Sequence, residues 1–164
     1  MIVHSYYSLL WGVNSPHQIC KAAHAHGYTH IALTDTDNLY GLWPFLSACR
    51  QENLTPIIGA ELTDLSGHGR AVCLVENDDG FRNLCRLITR RHCNRDFNLA
   101  TSLAAHAQGL TVLSSDVEFF TKLKHSGIDV IAAVVRKPDG AAWRLRQAAH
   151  RLGAPVVIAQ AVFS

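Results

Sequence analysis

The sequence has few charged residues and no long apolar segment. Only 17% of its 164 residues are Asp, Glu, Lys or Arg, whereas 48% are hydrophobic. No apolar run approaches the roughly 18 residues that a membrane-spanning helix needs. Residues 1–4 lack the basic and apolar regions of a signal peptide. We therefore expect a cytoplasmic protein without membrane contact, and the chain length predicts one domain, residues 1–164.

Several motifs with known chemistry are also absent. The five cysteines include no C-x-x-C pair, which argues against a zinc knot or redox motif and favours reduced, mostly buried thiols. The sequence contains no Walker-type phosphate loop, no G-x-G-x-x-G and no G-x-S-x-G. It therefore offers no support for nucleotide hydrolysis through such loops or for a serine nucleophile on such a turn.

Charge is distributed unevenly along the chain. Residues 1–80 carry 3 basic and 8 acidic side chains (−5), and residues 81–164 carry 12 basic and 5 acidic ones (+7). Arg82, Arg86 and Arg90 recur every four residues and predict one ridge on a helix. Such a ridge could contact nucleic-acid phosphates or an acidic partner, but no aromatic residues alternate with it. A solvated helix face is the preferred interpretation, and weak nucleic-acid or partner contact is the alternative.

Short apolar segments alternate with helical patterns along the chain. Ser15, Pro16 and Gln18 form a capping-box pattern that predicts the first helix, and Gly27 follows at its C-terminal cap. Seven strands are predicted, at residues 2–4, 30–34, 56–61, 71–76, 110–113, 130–135 and 155–158. Further helices are predicted at residues 42–52, 78–88, 117–126 and 140–152, and loops at 64–69 and 91–98. This order is typical of parallel βαβ units, in either an open doubly wound sheet or a closed compact barrel.

Three polar side chains lie at the ends of the first three predicted strands. They are His4, Asp35 and Glu61, and active groups collect where parallel strands end. An imidazole and two carboxylates suit a metal ion or acid–base chemistry. Chance placement is a strong alternative, because the chain has 10 His and 13 acidic residues. Among the other histidines, His92 is noted because it follows a helix near a loop.

Three strings resemble a known family in their order and spacing. They are VHSYYSLLWG (residues 3–12), ALTDTDNLYG (32–41) and PIIGAE (56–61). Together they resemble the PHP (polymerase and histidinol phosphatase) domain of bacterial DNA polymerase III alpha subunits. The strings NDDGFRNLCRLIT (77–89), GLTVLS (109–114) and LGAPVVIA (152–159) extend the resemblance over nearly the whole chain. The resemblance implies a single-domain α/β fold, a compact, distorted, TIM-like (βα)7 barrel.

The resemblance also implies a particular site. Active members of this family bind a trinuclear metal cluster, often zinc or manganese, and hydrolyse phosphoesters or act as proofreading exonucleases. By their motifs the present sequence retains His4, Asp35 and Glu61, with looser matches at His92 and Asp116. Non-ligating residues stand at the other positions: Ile2, Trp11, Thr36, Ala161 and Phe163. The metal site is therefore expected to be largely dismantled.

Two functions follow from this resemblance. The first is a non-catalytic PHP domain in DNA replication, which stabilises the remainder of a DNA polymerase III alpha-type chain or docks a replisome subunit such as a proofreading exonuclease. The second is a reduced phosphoesterase or exonuclease with one or two metal ions on His4, Asp35, Glu61 and His92. The first needs no cofactor, and the second needs zinc or manganese. These 164 residues contain no counterpart of the modules that synthesise DNA.

Overall fold

The computed structural model describes residues 1–8, 12–135 and 140–159. All seven strands lie where the sequence predicts them, with end points shifted by at most two residues. In chain order the elements are β1 (Ile2–Val3), α1 (Pro16–Ala25), β2 (His30–Leu33), α2 (Leu42–Gln51), β3 (Thr55–Thr63), β4 (Arg70–Val75), α3 (Asp78–Cys93), α4 (Leu99–His106), β5 (Leu110–Ser114), α5 (Val117–His125), β6 (Val130–Val135), α6 (Gly140–Arg151) and β7 (Val156–Ala159).

The strands form one sheet in the order β1 to β7. β1, β2 and β3 are parallel, and so are β5, β6 and β7, but β4 is antiparallel to both of its neighbours. The expectation of parallel βαβ units throughout is therefore wrong at β4. Only residues 64–69 separate β3 from β4. A parallel crossover needs a dozen or more residues, so this short connection can form only a hairpin.

The sheet curls into a half-barrel within a single-domain α/β fold. Among the described residues, backbone pairing runs from β1 to β7 without joining these two edge strands to each other. The closed (βα)7 barrel therefore stays a prediction, as do the domain boundaries at residues 1 and 164. Within the described part of the chain, no helix is both long enough and apolar enough to cross a membrane.

The helices cover one face of the sheet. Successive side chains of a strand point alternately toward this face and toward the opposite one. On β3, Ala60 and Leu62 are buried in the apolar cluster beneath the helices. Glu61 and Thr63 alternate with them and so lie on the opposite face, which we call the inner face. The inner face is therefore free to carry polar groups without disturbing the core.

Two apolar clusters hold the helices on the sheet. Ile31 of β2 and Phe45 of α2 are fully buried in the cluster beneath α1 and α2. Leu84 of α3, Phe120 of α5 and Leu145 of α6 belong to the larger cluster beneath the later helices. Fully burying such a side chain contributes about 1.5–3 kcal/mol. The packing that stabilises the fold is therefore concentrated on the helical side of the sheet.

The predicted start and end of α1 are confirmed, whereas the predicted loop after α3 is wrong at its start. The capping box of α1 is confirmed, with Gln18 N–H donating to Ser15 Oγ at 3.2 Å and Ser15 N–H to Gln18 Oε1 at 2.9 Å. Gly27 has the left-handed conformation expected after this helix (φ +75°). The predicted loop at 91–98 is wrong at its start, because α3 continues to Cys93, and α4 was not predicted.

Candidate functional site at the carboxyl edge

The carboxyl ends of β1, β2 and β3 meet at one edge of the sheet. Thr34 N–H donates to the carbonyl of Val3 (2.9 Å), and Glu61 N–H donates to the carbonyl of Asp35 (3.2 Å). Thr36 and Glu61 form an isolated parallel bridge just beyond the ladder. The fold therefore brings the strand ends that carry His4, Asp35 and Glu61 together, but their side chains have different surroundings.

Asp35 is engaged by two serines on the helical side of the sheet. Its side chain is buried, with 2% relative exposure. Oδ1 accepts hydrogen bonds from Ser5 N–H and Ser8 Oγ, and Oδ2 accepts one from Ser5 Oγ, all at 2.7 Å. It also lines a small cavity with Leu42 and Phe45 of α2. This carboxylate therefore holds the segment after β1 against the end of β2.

Glu61 lies on the inner face and contacts two protein donors. Thr36 Oγ1 donates to Glu61 Oε2 at 3.1 Å, and Arg70 Nη1 lies 3.6 Å from the same oxygen. Arg70 begins β4 and pairs with Thr63, so hairpin geometry places its guanidinium on the same face as Glu61. Sequence reasoning did not single out Arg70. Its only signal was that it is one of 3 basic residues among the first 80.

A second acid and a second arginine complete this face. Asp37 accepts hydrogen bonds from the backbone N–H (2.8 Å) and the hydroxyl of Thr63. Arg91 Nη2 lies 3.5 Å from Asp37 Oδ2, and Arg91 Nε donates to the carbonyl of Thr63 at 2.7 Å. Asp37 has a positive φ of 54°, which is uncommon for a residue other than glycine. Neither Asp37 nor Arg91 is among the candidate site residues that the sequence predicts.

His92 and Asp116 have local partners. His92 is exposed, and its Nε2 lies 2.7 Å from the carbonyl oxygen of Asp37. Asp116 caps α5 by accepting a hydrogen bond from Phe119 N–H at 2.6 Å. It also lines an open cavity of about 420 Å³ that includes His68 and Arg70. Both predicted candidates therefore lie near the carboxyl edge. The side chain of each already contacts a backbone group, the Asp37 carbonyl for His92 and the Phe119 N–H for Asp116.

His4 differs from the acids. Its Nδ1 is buried and has no hydrogen-bond partner among the described residues. By strand alternation it lies on the face opposite Val3, whose side chain packs in the core. No side chain or backbone group in the described part of the chain therefore occupies this ring nitrogen.

The described residues include no group of three or more His, Cys, Asp or Glu side chains arranged to hold a metal ion. Ile2 is half-buried in β1, and Thr36 is bonded to Glu61 as described above. Trp11, Ala161 and Phe163 lie outside the described residues. The assignment of His4, Asp35, Glu61, His92 and Asp116 as residual ligands stays a prediction.

The predicted arginine ridge lies on α3 and is exposed. Arg82 Nη1 lies 2.6 Å from Asp79, Arg86 Nη1 donates to Asn83 at 3.2 Å, and Arg90 Nη1 lies 3.0 Å from His106 Nε2. Two of these contacts are made within α3 itself, and the third reaches α4. The ridge is thus a set of exposed cations on the outer surface, away from the inner face.

Sequence comparison identifies the fold family. Residues 1–144 match the sequence profile of the PHP domain. The chain belongs to the PHP domain family. An error-prone DNA polymerase of Anaeromyxobacter dehalogenans is 30% identical over 179 aligned positions, which cover 94% of this PHP chain and 16% of that polymerase. DNA polymerase III subunit alpha of Treponema pallidum is 35% identical over 69% of the chain and 11% of its own length. This PHP chain therefore spans less than a fifth of these relatives.

A solved structure agrees with this assignment. The two-domain protein of Bacteroides vulgatus that contains a predicted PHP-like metal-dependent phosphoesterase superimposes with a TM-score of 0.66. The match has 13% sequence identity and covers 94% of the present chain and 48% of that protein. At this identity the likeness concerns the fold alone. It supports a PHP-like arrangement of the curled sheet and its helices.

Proposed function

We propose that this chain is the PHP domain of a DNA polymerase III alpha-type protein, and that it has a structural or partner-docking role rather than a catalytic one. The observation that carries the proposal is that the acids at the carboxyl edge are engaged by protein donors. Asp35 accepts three hydrogen bonds, Glu61 contacts Thr36 and Arg70, and Asp116 caps a helix. A metal ion bound to these acids would have to share or displace protein donors that are already in place.

Electrostatics also opposes a metal ion next to Glu61. Two like unit charges about 4 Å apart repel by about 4 kcal/mol at an effective dielectric constant of about 20, and a divalent ion doubles this. The guanidinium of Arg70 lies 3.6 Å from Glu61 Oε2. A metal ion on that oxygen would therefore meet a nearby positive charge, and water screens part of this repulsion because the Arg70 side chain is 45% exposed. This repulsion supports the proposal that the donor set does not fit a trinuclear cluster.

The partners follow from the relatives. They are named as DNA polymerases and are much longer than this chain. We propose that the domain supports the remainder of such a polymerase, or docks a replisome subunit, in the cytoplasm. The exposed ridge of Arg82, Arg86 and Arg90 offers weak contact with nucleic acid or an acidic partner. Because each of these arginines has a local hydrogen-bonding partner, we assign the ridge a secondary role.

One observation favours the alternative, a reduced phosphoesterase or exonuclease. The buried Nδ1 of His4 has no hydrogen-bond partner among the described residues, and buried polar atoms are normally satisfied. A zinc or manganese ion would satisfy this nitrogen. Such a site would have to recruit Glu61 away from Arg70, which is why we rank this function second.

Metal analysis separates the two functions. Untagged protein is dialysed against trace zinc and manganese, and its metal content is measured beside hydrolysis of bis(p-nitrophenyl) phosphate and of a single-stranded DNA end. The proposed function predicts near-zero occupancy and no turnover that a chelator abolishes. One or more ions per chain, lost in His4→Ala but retained in the exposed control His125→Ala, together with chelator-sensitive turnover, would establish the alternative.

A further inference from the structure

Four charged side chains surround Thr63 on the inner face. Glu61 Oε2 lies 3.6 Å from Arg70, and Asp37 Oδ2 lies 3.5 Å from Arg91. Thr63 pairs with Arg70 across the hairpin, donates its backbone N–H to Asp37 and accepts hydrogen bonds from Arg91. Asp37 N–H donates to the carbonyl of Glu61 at 2.8 Å, which joins the two ion pairs. Two acids and two arginines therefore form one connected, charge-balanced network.

Burial makes this balance necessary. The exposed fraction of the side chain is 16% for Glu61, 14% for Asp37 and 20% for Arg91, whereas Arg70, at the rim of the network, is 45% exposed. Carboxylates that have lost most of their water need a cation beside them, because an unpaired buried charge is strongly destabilising. In the metal-loaded sites that the family resemblance implies, that cation is a metal ion. Here side chains of the same chain supply it.

We infer that Arg70 and Arg91 replace metal ions as the cations that neutralise the inner face. By doing so they fasten three segments together: the loop after β2, the β3–β4 hairpin and the end of α3. This inference rests on the proposed function, since it explains how the carboxyl edge stays folded without an ion. It goes further by assigning that role to two residues that the family motifs do not include.

A variant that lacks Arg70 should be stabilised by a metal ion bound near Glu61. Without Arg70, Glu61 Oε2 retains only the hydrogen bond from Thr36 among the contacts described above, and its charge becomes uncompensated. Carboxylate oxygens suit Mn²⁺, so the ion can supply the missing positive charge. The Arg70→Gln variant should therefore respond to Mn²⁺, whereas the native chain should not.

The test compares melting temperatures in EDTA and in MnCl₂. Arg70→Gln and Arg91→Gln should each lower the Tm in EDTA by roughly 2–6 °C, since partly buried ion pairs are broken. Arg70→Gln should recover most of its loss in MnCl₂. The matched control Arg82→Gln removes an exposed arginine from the outer surface and should match the native Tm in both conditions. Glu61→Gln combined with Arg70→Gln should abolish the Mn²⁺ response.

The outcomes separate this inference from the proposed function. If Arg70→Gln melts like Arg82→Gln, or gains no stability from Mn²⁺, the inference is overturned while a metal-free native protein still supports the proposed function. If the native protein binds metal and has chelator-sensitive turnover, the proposed function fails. Should Arg70→Gln not fold, folding of the double variant would support the inference. If neither variant folds, Arg70→Lys decides the question. Lys retains the positive charge, so the inference predicts no gain in stability from Mn²⁺, and a gain would overturn it.

Discussion

Replacing Asp35 tests whether this carboxylate is a structural acceptor or a metal ligand. Asp35→Ala removes the acceptor of three buried hydrogen bonds, from Ser5 N–H, Ser5 Oγ and Ser8 Oγ. A hydrogen bond to a charged group contributes about 1.5–3 kcal/mol, and a buried donor left without a partner costs about 1–3 kcal/mol. The hydroxyl groups can turn to other acceptors, but the backbone N–H cannot. We expect a total loss of about 3–5 kcal/mol.

Asp35→Asn should be milder. Its carbonyl oxygen can accept the two hydrogen bonds that Oδ1 accepts now, and its amide group would face Ser5 Oγ. A hydroxyl both donates and accepts, so Ser5 can reverse its role in that bond. We therefore expect a loss of about 1–2 kcal/mol, mainly from the lost charge.

Urea unfolding followed by circular dichroism, in EDTA and in ZnCl₂, measures these losses. Asp129→Ala is the matched control, because the Asp129 side chain is 97% exposed and its one polar contact with a described residue is a long ion pair with Lys124. The control should unfold like the native protein. If Asp35→Ala also unfolds like the native protein, or loses stability only relative to a zinc-loaded native form, the structural account of this carboxylate is refuted.

Three further outcomes are expected from urea unfolding. Gly80→Ala should lose about 3 kcal/mol, because a Cβ there would lie 1.8 Å from the Gly109 carbonyl oxygen, whereas Gly140→Ala, with open space, should be neutral or slightly stabilising. Burial raises the pKa of the Cys73 thiol to about 12 from 9.0. The unfolded chain therefore loses this proton first as the pH rises, so about 2 kcal/mol should be lost by about pH 10.5, a loss that Cys73→Ala lacks. Ser15→Ala should cost about 1 kcal/mol by removing the cap of α1, and an unchanged midpoint would contradict that role.

The elements that could be predicted from the sequence are those specified by local patterns. The capping box at Ser15 and the apolar strands each depend on a few adjacent residues. The antiparallel direction of β4 was missed because apolar content alone does not indicate direction, although the length of residues 64–69 does. Helix α4 has only eight residues. The signal that could have predicted it is Leu99 and Leu103, four residues apart, after the N-cap Asn98.

The site was harder to predict, because its contacts join distant parts of the chain. Motifs identified His4, Asp35 and Glu61 at strand ends but did not indicate the neighbours of each side chain. Asp35 and Glu61 are engaged by different partners because alternation along β2 and β3 directs them to opposite faces. Arg70 belongs to no motif and lies near Glu61 only because the hairpin folds back. Such pairings depend on register, which a single sequence does not reveal.

Alternation along β3 also separates two kinds of evolutionary constraint. Residues that face the helices cannot change size without repacking a dense core. Their neighbours one position along, such as Glu61 and Thr63, can be exchanged while that packing is preserved. Substitutions on the inner face can therefore change a site without repacking the core, provided that the charges there stay paired. Asp35 is the exception, because it points toward the helices and its loss would affect the fold itself.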